Sequence, residues 1–189
     1  MVYDGVIEGK TVRLRSVEER DAESTYKMRS DPERARFIHK ASGTIDDQRE
    51  FIREQRLKPN DFLFIIEDLE GKPIGMKGIL DYDEKTNSVE SGRFIGFGSQ
   101  VQNIEALKLS FDFAFDILKV NQIRMAALEC NKTMIGIQKK FGAVISHKEP
   151  CIGFDYENVY SVLSRESYAV SKPKVEQLID RFANRDLIR

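Results

Sequence analysis

The chain has 189 residues, 41% of them apolar and 32% charged, which fits one domain with a buried core and excludes a disordered tail protein. Thirty Lys and Arg stand against 31 Asp and Glu, so the basic excess of a nucleic-acid binder is missing, and neither a membrane-spanning run nor a secretory leader is recognisable. Two cysteines, Cys130 and Cys151, and two histidines lie too far apart to frame a zinc site, and the sum predicts a cytoplasmic, single-domain, metal-free protein.

Thr11-Val12-Arg13-Leu14-Arg15 alternates and reads as an opening strand. Ser16, three residues before Glu19, has capping-box spacing and predicts a helix through Tyr26 and Met28, interrupted at Asp31-Pro32. Thr44 and Asp47 repeat that spacing ahead of Phe51, Ile52 and Leu57, and Pro59-Asn60-Asp61 ends this second helix. Three strands follow as an antiparallel meander: Phe62 to Glu67, Ile74 to Leu80 and Val89 to Phe97. Ile104, Leu107, Phe111 and Leu118 then recur at helical spacing, widened by Leu109, Phe113 and Ile117, with Glu105, Lys108, Asp112 and Asp116 as the wet face. Ile123 to Glu129 is the next strand, and Asn131 to Phe141 is a helix closed by Gly142. Ala143 to His147 and Val159 to Ser164 supply the last strands. An amphipathic helix after Pro173, marked by Val175, Leu178, Ile179 and Phe182, completes the chain. The order predicts a mixed α/β domain with one central sheet.

Several stretches carry a family likeness. Glu105-Ala106 through Asp112-Phe113-Ala114-Phe115, the turn Leu118-Lys119-Val120-Asn121-Gln122-Ile123, the helix Asn131 to Gly142 and the strand Glu90-Ser91-Gly92-Arg93-Phe94-Ile95-Gly96 resemble the GNAT superfamily of acyl-CoA N-acyltransferases. The wording is similar to the branch of ribosomal-protein alanine N-acetyltransferases. The likeness spans roughly Thr11 to Ser164 and is strongest from Val89 to Gly142. It implies a mixed, mostly antiparallel central sheet flanked by helices. Residues 1–165 would form the N-acyltransferase domain and 166–189 a C-terminal helical extension of it.

The resemblance also implies acetyl-CoA as co-substrate, a primary amine as acceptor and no metal. The acceptor would be a protein N-terminus, a small-molecule amine or a nucleotide-linked amino sugar. Glu90 is the candidate base, because attack on a thioester requires a neutral amine and therefore a proton acceptor. Phe94, Ile95 and Gly96 would offer main-chain groups to the cofactor arm, and Asn131 would contact that arm while capping its helix. The family clasps the pyrophosphate with a glycine-rich loop at a helix N-terminus. Here the residues in that place are Val101, Gln102, Asn103 and Ile104, with Val101 and Asn103 at the glycine positions and no Lys or Arg in the loop. That predicts a weaker or differently shaped clasp. Gln138 stands where the family's tyrosine protonates the leaving thiolate. An amide can hydrogen-bond the sulfur but cannot serve as an acid.

Other residues weigh less. His39 falls near the acceptor side, while His147 and Glu67 read as an exposed histidine and a strand-end carboxylate. Cys130 lacks a basic partner that would make it a nucleophile. The front helices balance Arg20, Lys27, Arg29, Arg34 and Arg36 against Asp21, Glu23, Asp31 and Glu33, and so predict no preference for an acidic or basic acceptor. The apolar face of the last helix must be covered by its own domain or by a second subunit in a homodimer. The missing glycines and Gln138 motivate a competing reading, a non-catalytic module that binds CoA or a partner; a transferase of longer acyl groups is a third.

Overall fold

A computed structural model describes residues 1–38 and 43–186, with side chains to residue 183. Its strands are β1 (Val6–Glu8), β2 (Val12–Ser16), β3 (Phe62–Asp68), β4 (Pro73–Asp83), β5 (Ser88–Gly96), β6 (Gln122–Leu128), β7 (Val144–Pro150) and β8 (Glu157–Ser164). The helices are α1 (Ala22–Ser30), α2 (Ile45–Leu57), α3 (Gln100–Asp112), α4 (Lys132–Lys140) and α5 (Arg165–Asp186). One eight-stranded sheet has the order β1-β2-β3-β4-β5-β6-β8-β7. Every neighbouring pair is antiparallel except β5 with β6, which α3 connects as a crossover.

The central strand explains the layering. Phe62 to Glu67 in β3 are all buried, as expected of a strand covered on both faces. Phe62, Phe64 and Ile66 join α3 and α5 in one core, with Phe111, Phe113, Phe115, Tyr168, Val175 and Ile179. Leu63 and Ile65 face the other way and pack with Val17, Ala22, Met28, Ile52 and Met76 under α1 and α2. The phenylalanines of the long helix are therefore core residues, as their spacing predicts.

Four local expectations change. First, the opening helix is entered through a short 3-10 turn over Glu19–Asp21, whose capping pair is Glu18 with Asp21 rather than Ser16 with Glu19. Ser16 ends β2, where its hydroxyl exchanges hydrogen bonds with the main chain of Tyr3 (2.9 and 3.0 Å). Second, Glu105 is buried, because the β1–β2 hairpin folds over it and donates the Lys10 and Thr11 N–H groups to its carboxylate (2.6 and 2.7 Å). Third, Lys108 and Asp112 are covered by α5 and pair with each other, with Glu176 and with Lys172. Fourth, α5 starts eight residues before Pro173, since Ser164 Oγ accepts from the Ser167 N–H (3.1 Å) and opens the helix there. Pro173 sits on an exposed face, where a missing N–H is tolerated. Val175 and Ile179 of α5 are thus covered by their own chain, whereas Phe182 is exposed. Beyond α3 the helix widens into a π-helical turn over Phe113–Ile117, with the Leu118 N–H on Phe113 O (3.0 Å).

Candidate active site

The site begins where the sheet divides. β5 and β6 pair only at Ser88 with Gln122, Val89 with Ile123 and Glu90 with Arg124. Beyond these, β6 follows β8 to Leu128 while β5 follows β4 to Gly96. The facing edges of β5 and β6 beyond Glu90 carry no ladder bonds to each other. Main-chain donors and acceptors in such a fork can be satisfied by an extended polar ligand lying between the strands.

The bulge in β5 sets which groups face which side. Gly78 pairs with Gly92 and Met76 with Ile95, so β5 has one residue more than β4 across this step. Arg93 takes up the excess with φ of 52°, a left-handed conformation that costs a non-glycine residue. As a result Val89, Ser91 and Phe94 face α3, whereas Glu90, Gly92, Arg93 and Ile95 face α2. The Glu90 carboxylate lies over Gly92, where a Cβ would come within 3.0 Å of its Oε1.

Beneath the bulge lies a residue that the sequence reading missed. Lys77 is 1% exposed, and its Nζ donates to Gly78 O and Gly92 O, both at 2.9 Å. Burial pulls its pKa from the usual lysine range down to about 7, against the opposing pull of the Glu90 charge. The amine ties β4 to β5 at the bulge and stands within the electrostatic reach of Glu90. Its signal was a lone lysine inside the apolar run Ile74-Gly75-Met76-Lys77-Gly78-Ile79-Leu80.

At the mouth of the fork, Ser99 caps α3 in a capping box with Gln102. Val101, Gln102, Asn103 and Ile104 therefore lie in the first turn of the helix, and neither Val101 nor Asn103 has a left-handed backbone. The close approach is made one step earlier, at Gly96 and Gly98. A Cβ on Gly96 would stand 2.0 Å from Asn103 Oδ1, and Asn103 Nδ2 donates to Gly98 O (3.1 Å). The Gln102 N–H is used by Ser99 Oγ (3.3 Å), which leaves the first-turn amides of Gln100 and Val101 free of the cap. With the helix dipole behind them they suit an anion. The Arg34 guanidinium lies 5.9 Å from the centre of the Phe97 ring, just before the loop.

The remaining candidates are placed as follows. Asn131 caps α4 by accepting from the Met134 N–H (3.1 Å). Gln138 is buried on α4, and its Oε1 accepts from Ser161 Oγ (2.9 Å). His147, on the far edge strand β7, stacks on Tyr160 with ring centres 4.6 Å apart. Glu67 accepts from Arg13 Nε (2.8 Å) and Arg15 Nε (2.7 Å), so it is held in ion pairs. Cys130 is a half-buried free thiol, and His39 lies outside the described residues. Among the described residues, no group of three or more His, Cys, Asp or Glu could hold a metal ion, and no helix is long and apolar enough to cross a membrane.

A mixed sheet that forks at its one parallel pair, with a bulged strand and a helix N-terminus at the mouth, defines the acyl-CoA N-acyltransferase class. The family model of the acetyltransferase (GNAT) domain matches residues 11–144, and the chain belongs to that family. It is an acyl-CoA-dependent N-acetyltransferase. Among solved structures it is similar to the apo form of FdhC, a nucleotide-linked sugar GNAT, at 25% identity and TM-score 0.79, covering 94% of this chain and 99% of that one. It is also similar to a GCN5-related N-acetyltransferase from Brucella melitensis, at 14% identity and TM-score 0.80, covering 94% and 86%. The spermidine N-acetyltransferase from Vibrio cholerae, in complex with CoA and spermine, shares 15% identity at TM-score 0.77, covering 85% and 99%. No curated protein matches the chain by sequence.

Proposed function

We propose that this chain transfers the acetyl group of acetyl-CoA to a primary amine by direct attack within a ternary complex. The observation that carries this reading is the placement of Glu90 at the last paired position of the fork, on the same side as the α2 cleft. Acetyl-CoA supplies the thioester carbonyl. Main-chain groups of Phe94, Ile95 and Gly96 hold its arm in the fork, the amides at the start of α3 receive its pyrophosphate, and Arg34 adds charge there. Asn131 contacts the arm from the start of α4.

Glu90 takes one proton from the acceptor ammonium, freeing the nitrogen lone pair for the carbonyl carbon. The C–N bond forms, the C–S bond breaks, the electron pair leaves with sulfur, and the second proton of the attacking nitrogen passes to water or to the departing thiolate. A thiolate with an ordinary pKa of about 8.5 leaves without an acid. Gln138, with its oxygen held by Ser161, has only its amide N–H groups left to orient the sulfur. The acceptor is a protein N-terminal amine or a small-molecule amine, and among the latter a nucleotide-linked amino sugar is a candidate, since the similar FdhC is a nucleotide-linked sugar GNAT.

Thiol release from acetyl-CoA across a panel of amines tests this reading. Glu90→Gln lowers kcat by about 10²–10⁴-fold, with CoA binding retained. Unchanged turnover removes Glu90 from the mechanism. CoA at about 100 times its Kd stabilises the fold by about 2.7 kcal/mol; such a shift with no thiol release for any amine supports a binding module instead.

A further inference from the structure

A cleft of about 540 Å³ lies between α2 and the bulged end of β5, lined by Phe51, Gln55, Lys58 and Arg93 among others. Gln48, Phe51 and Gln55 share one face of α2 by their spacing. Both glutamines are buried, and each turns its two ends to different uses. Gln48 donates from Nε2 to Thr25 Oγ1 (3.2 Å) and accepts at Oε1 from Arg29 (3.3 Å). Gln55 donates from Nε2 to Asp61 Oδ2 (3.2 Å) and accepts at Oε1 from Arg93 (2.6 Å). Between them the Phe51 ring is flanked by both guanidiniums, with Arg29 at 5.9 Å and Arg93 at 5.3 Å from its centre.

These two arginines are oriented without being neutralised. A carboxamide accepts a hydrogen bond but brings no charge, and each guanidinium has five N–H donors. Among the described residues no carboxylate pairs with either one. Asp61, behind Gln55, is already taken by Lys58 Nζ (2.7 Å) and the Asp81 N–H (2.8 Å). Glu54 lines the cleft without pairing to them. Arg29 releases its proton more readily than a free arginine, through burial first and the neighbouring Arg93 charge second. Arg93 also holds its strained left-handed backbone, the kind of outlier that gathers at ligand sites. At about 3.3 Å per residue, Arg93 stands within about 10 Å of Glu90 along the same side of β5.

We propose that Arg29 and Arg93 form a clamp for an anionic group, phosphate or carboxylate, carried by the acceptor amine, with Phe51 as its apolar floor. This rests on the reading that the acceptor meets Glu90 from the α2 side. It replaces the absence of preference that the balanced charge count suggested with a stated substrate class.

The test is steady-state kinetics at pH 7.5 with four amines: O-phosphoethanolamine, β-alanine, ethanolamine and propane-1,3-diamine. An anionic amine is expected to exceed ethanolamine in kcat/KM by about 10–100-fold, the worth of one or two charge-assisted hydrogen bonds. Arg29→Gln and Arg93→Gln each raise the KM of that amine about tenfold or more and leave the KM of acetyl-CoA in place; Arg93→Lys recovers part of the loss. Whether O-phosphoethanolamine or β-alanine leads identifies the anion. Preference for ethanolamine or the diamine overturns the proposal. So does an anionic preference that survives both substitutions, or a loss that falls on acetyl-CoA. If no amine releases thiol, the transfer reading fails on its own. The clamp is then read by the thermal shift of CoA-saturated protein with O-phosphoethanolamine: a shift in the wild type that Arg93→Gln abolishes supports it, and no shift, or the same shift in both, overturns it.

Discussion

Two pairs of arginines sit on the α1–α2 side of this fold and live in opposite conditions. Arg13 and Arg15 on β2 meet Glu67 and Asp21, and Arg15 grips Asp21 with both terminal nitrogens at 2.7 and 2.8 Å. Those carboxylates raise the proton affinity of Arg15, led by Asp21. Arg29 and Arg93 meet glutamine carbonyls, and the proton affinity of Arg29 is lowered. The larger cleft, about 600 Å³, lies beside the paired arginines, where the charges are already consumed by one another. A cleft's size therefore says less about ligand binding than whether its charges have protein partners.

The sharpest way to break this comparison is to orphan the paired side. Glu67→Ala leaves two arginines without their shared carboxylate; Arg15 keeps Asp21 and Arg13 is partly exposed, so the loss is that of the charged hydrogen bonds, about 1.5–3 kcal/mol. Urea unfolding measures it, and a loss under about 1 kcal/mol would make the paired network dispensable.

Lys77 extends the comparison, since it is a buried cation bound only to carbonyls. Unfolded lysine keeps its proton to about pH 10.4, whereas folded Lys77 gives it up near 7. Between those values the unfolded chain holds more protons, so stability rises with pH, by at most about 1.4 kcal/mol per unit. Lys77→Met should flatten that rise from pH 7 to 10 in urea midpoints; an unaltered slope assigns it to another group.

The smallest effect is expected at Arg93. Arg93→Gly relieves a left-handed backbone worth about 1–3 kcal/mol and forfeits a charge-assisted hydrogen bond worth about 1.5–3 kcal/mol. The two nearly cancel, and a net change within about 1 kcal/mol is expected by the same urea measurement, alongside a large rise in acceptor KM. A loss as great as that of Glu67→Ala would make Arg93 a structural residue and erase the contrast.

The periodic segments are legible in the amino-acid order alone. Thr44 with Asp47, Asn131 and Gly142 mark helix ends because caps are local chemistry, settled within four residues. Ser16 misleads for the opposite reason: its hydroxyl answers to Tyr3, thirteen positions away. Glu105 looks solvated on a helical wheel, which does not show the β1–β2 hairpin that folds over it. In the proposed site, Glu90 and Asn131 are candidates that motif likeness supplies. Arg93, Arg29 and Lys77 are not, because their meaning depends on partners from α2 and on a bulge that no composition count records. Val101 and Asn103 stand where glycines were expected, yet the fold moves the tight approach to Gly96 and Gly98.

The extra residue at Arg93 works as a phase shifter in the strand. Strand side chains alternate with a period of two, so Glu90 and Ile95, five positions apart, could not otherwise share a side. Straightening the strand with every residue kept would turn Phe94 through Gly96 over and send Ile95 toward α3, whereas deleting Arg93 alone would restore plain alternation with Ile95 still on the side of Glu90. Length changes in the turns around β5 can be absorbed as loops absorb them, but between the proposed base and the helix that follows the bulge and the residue count must change together.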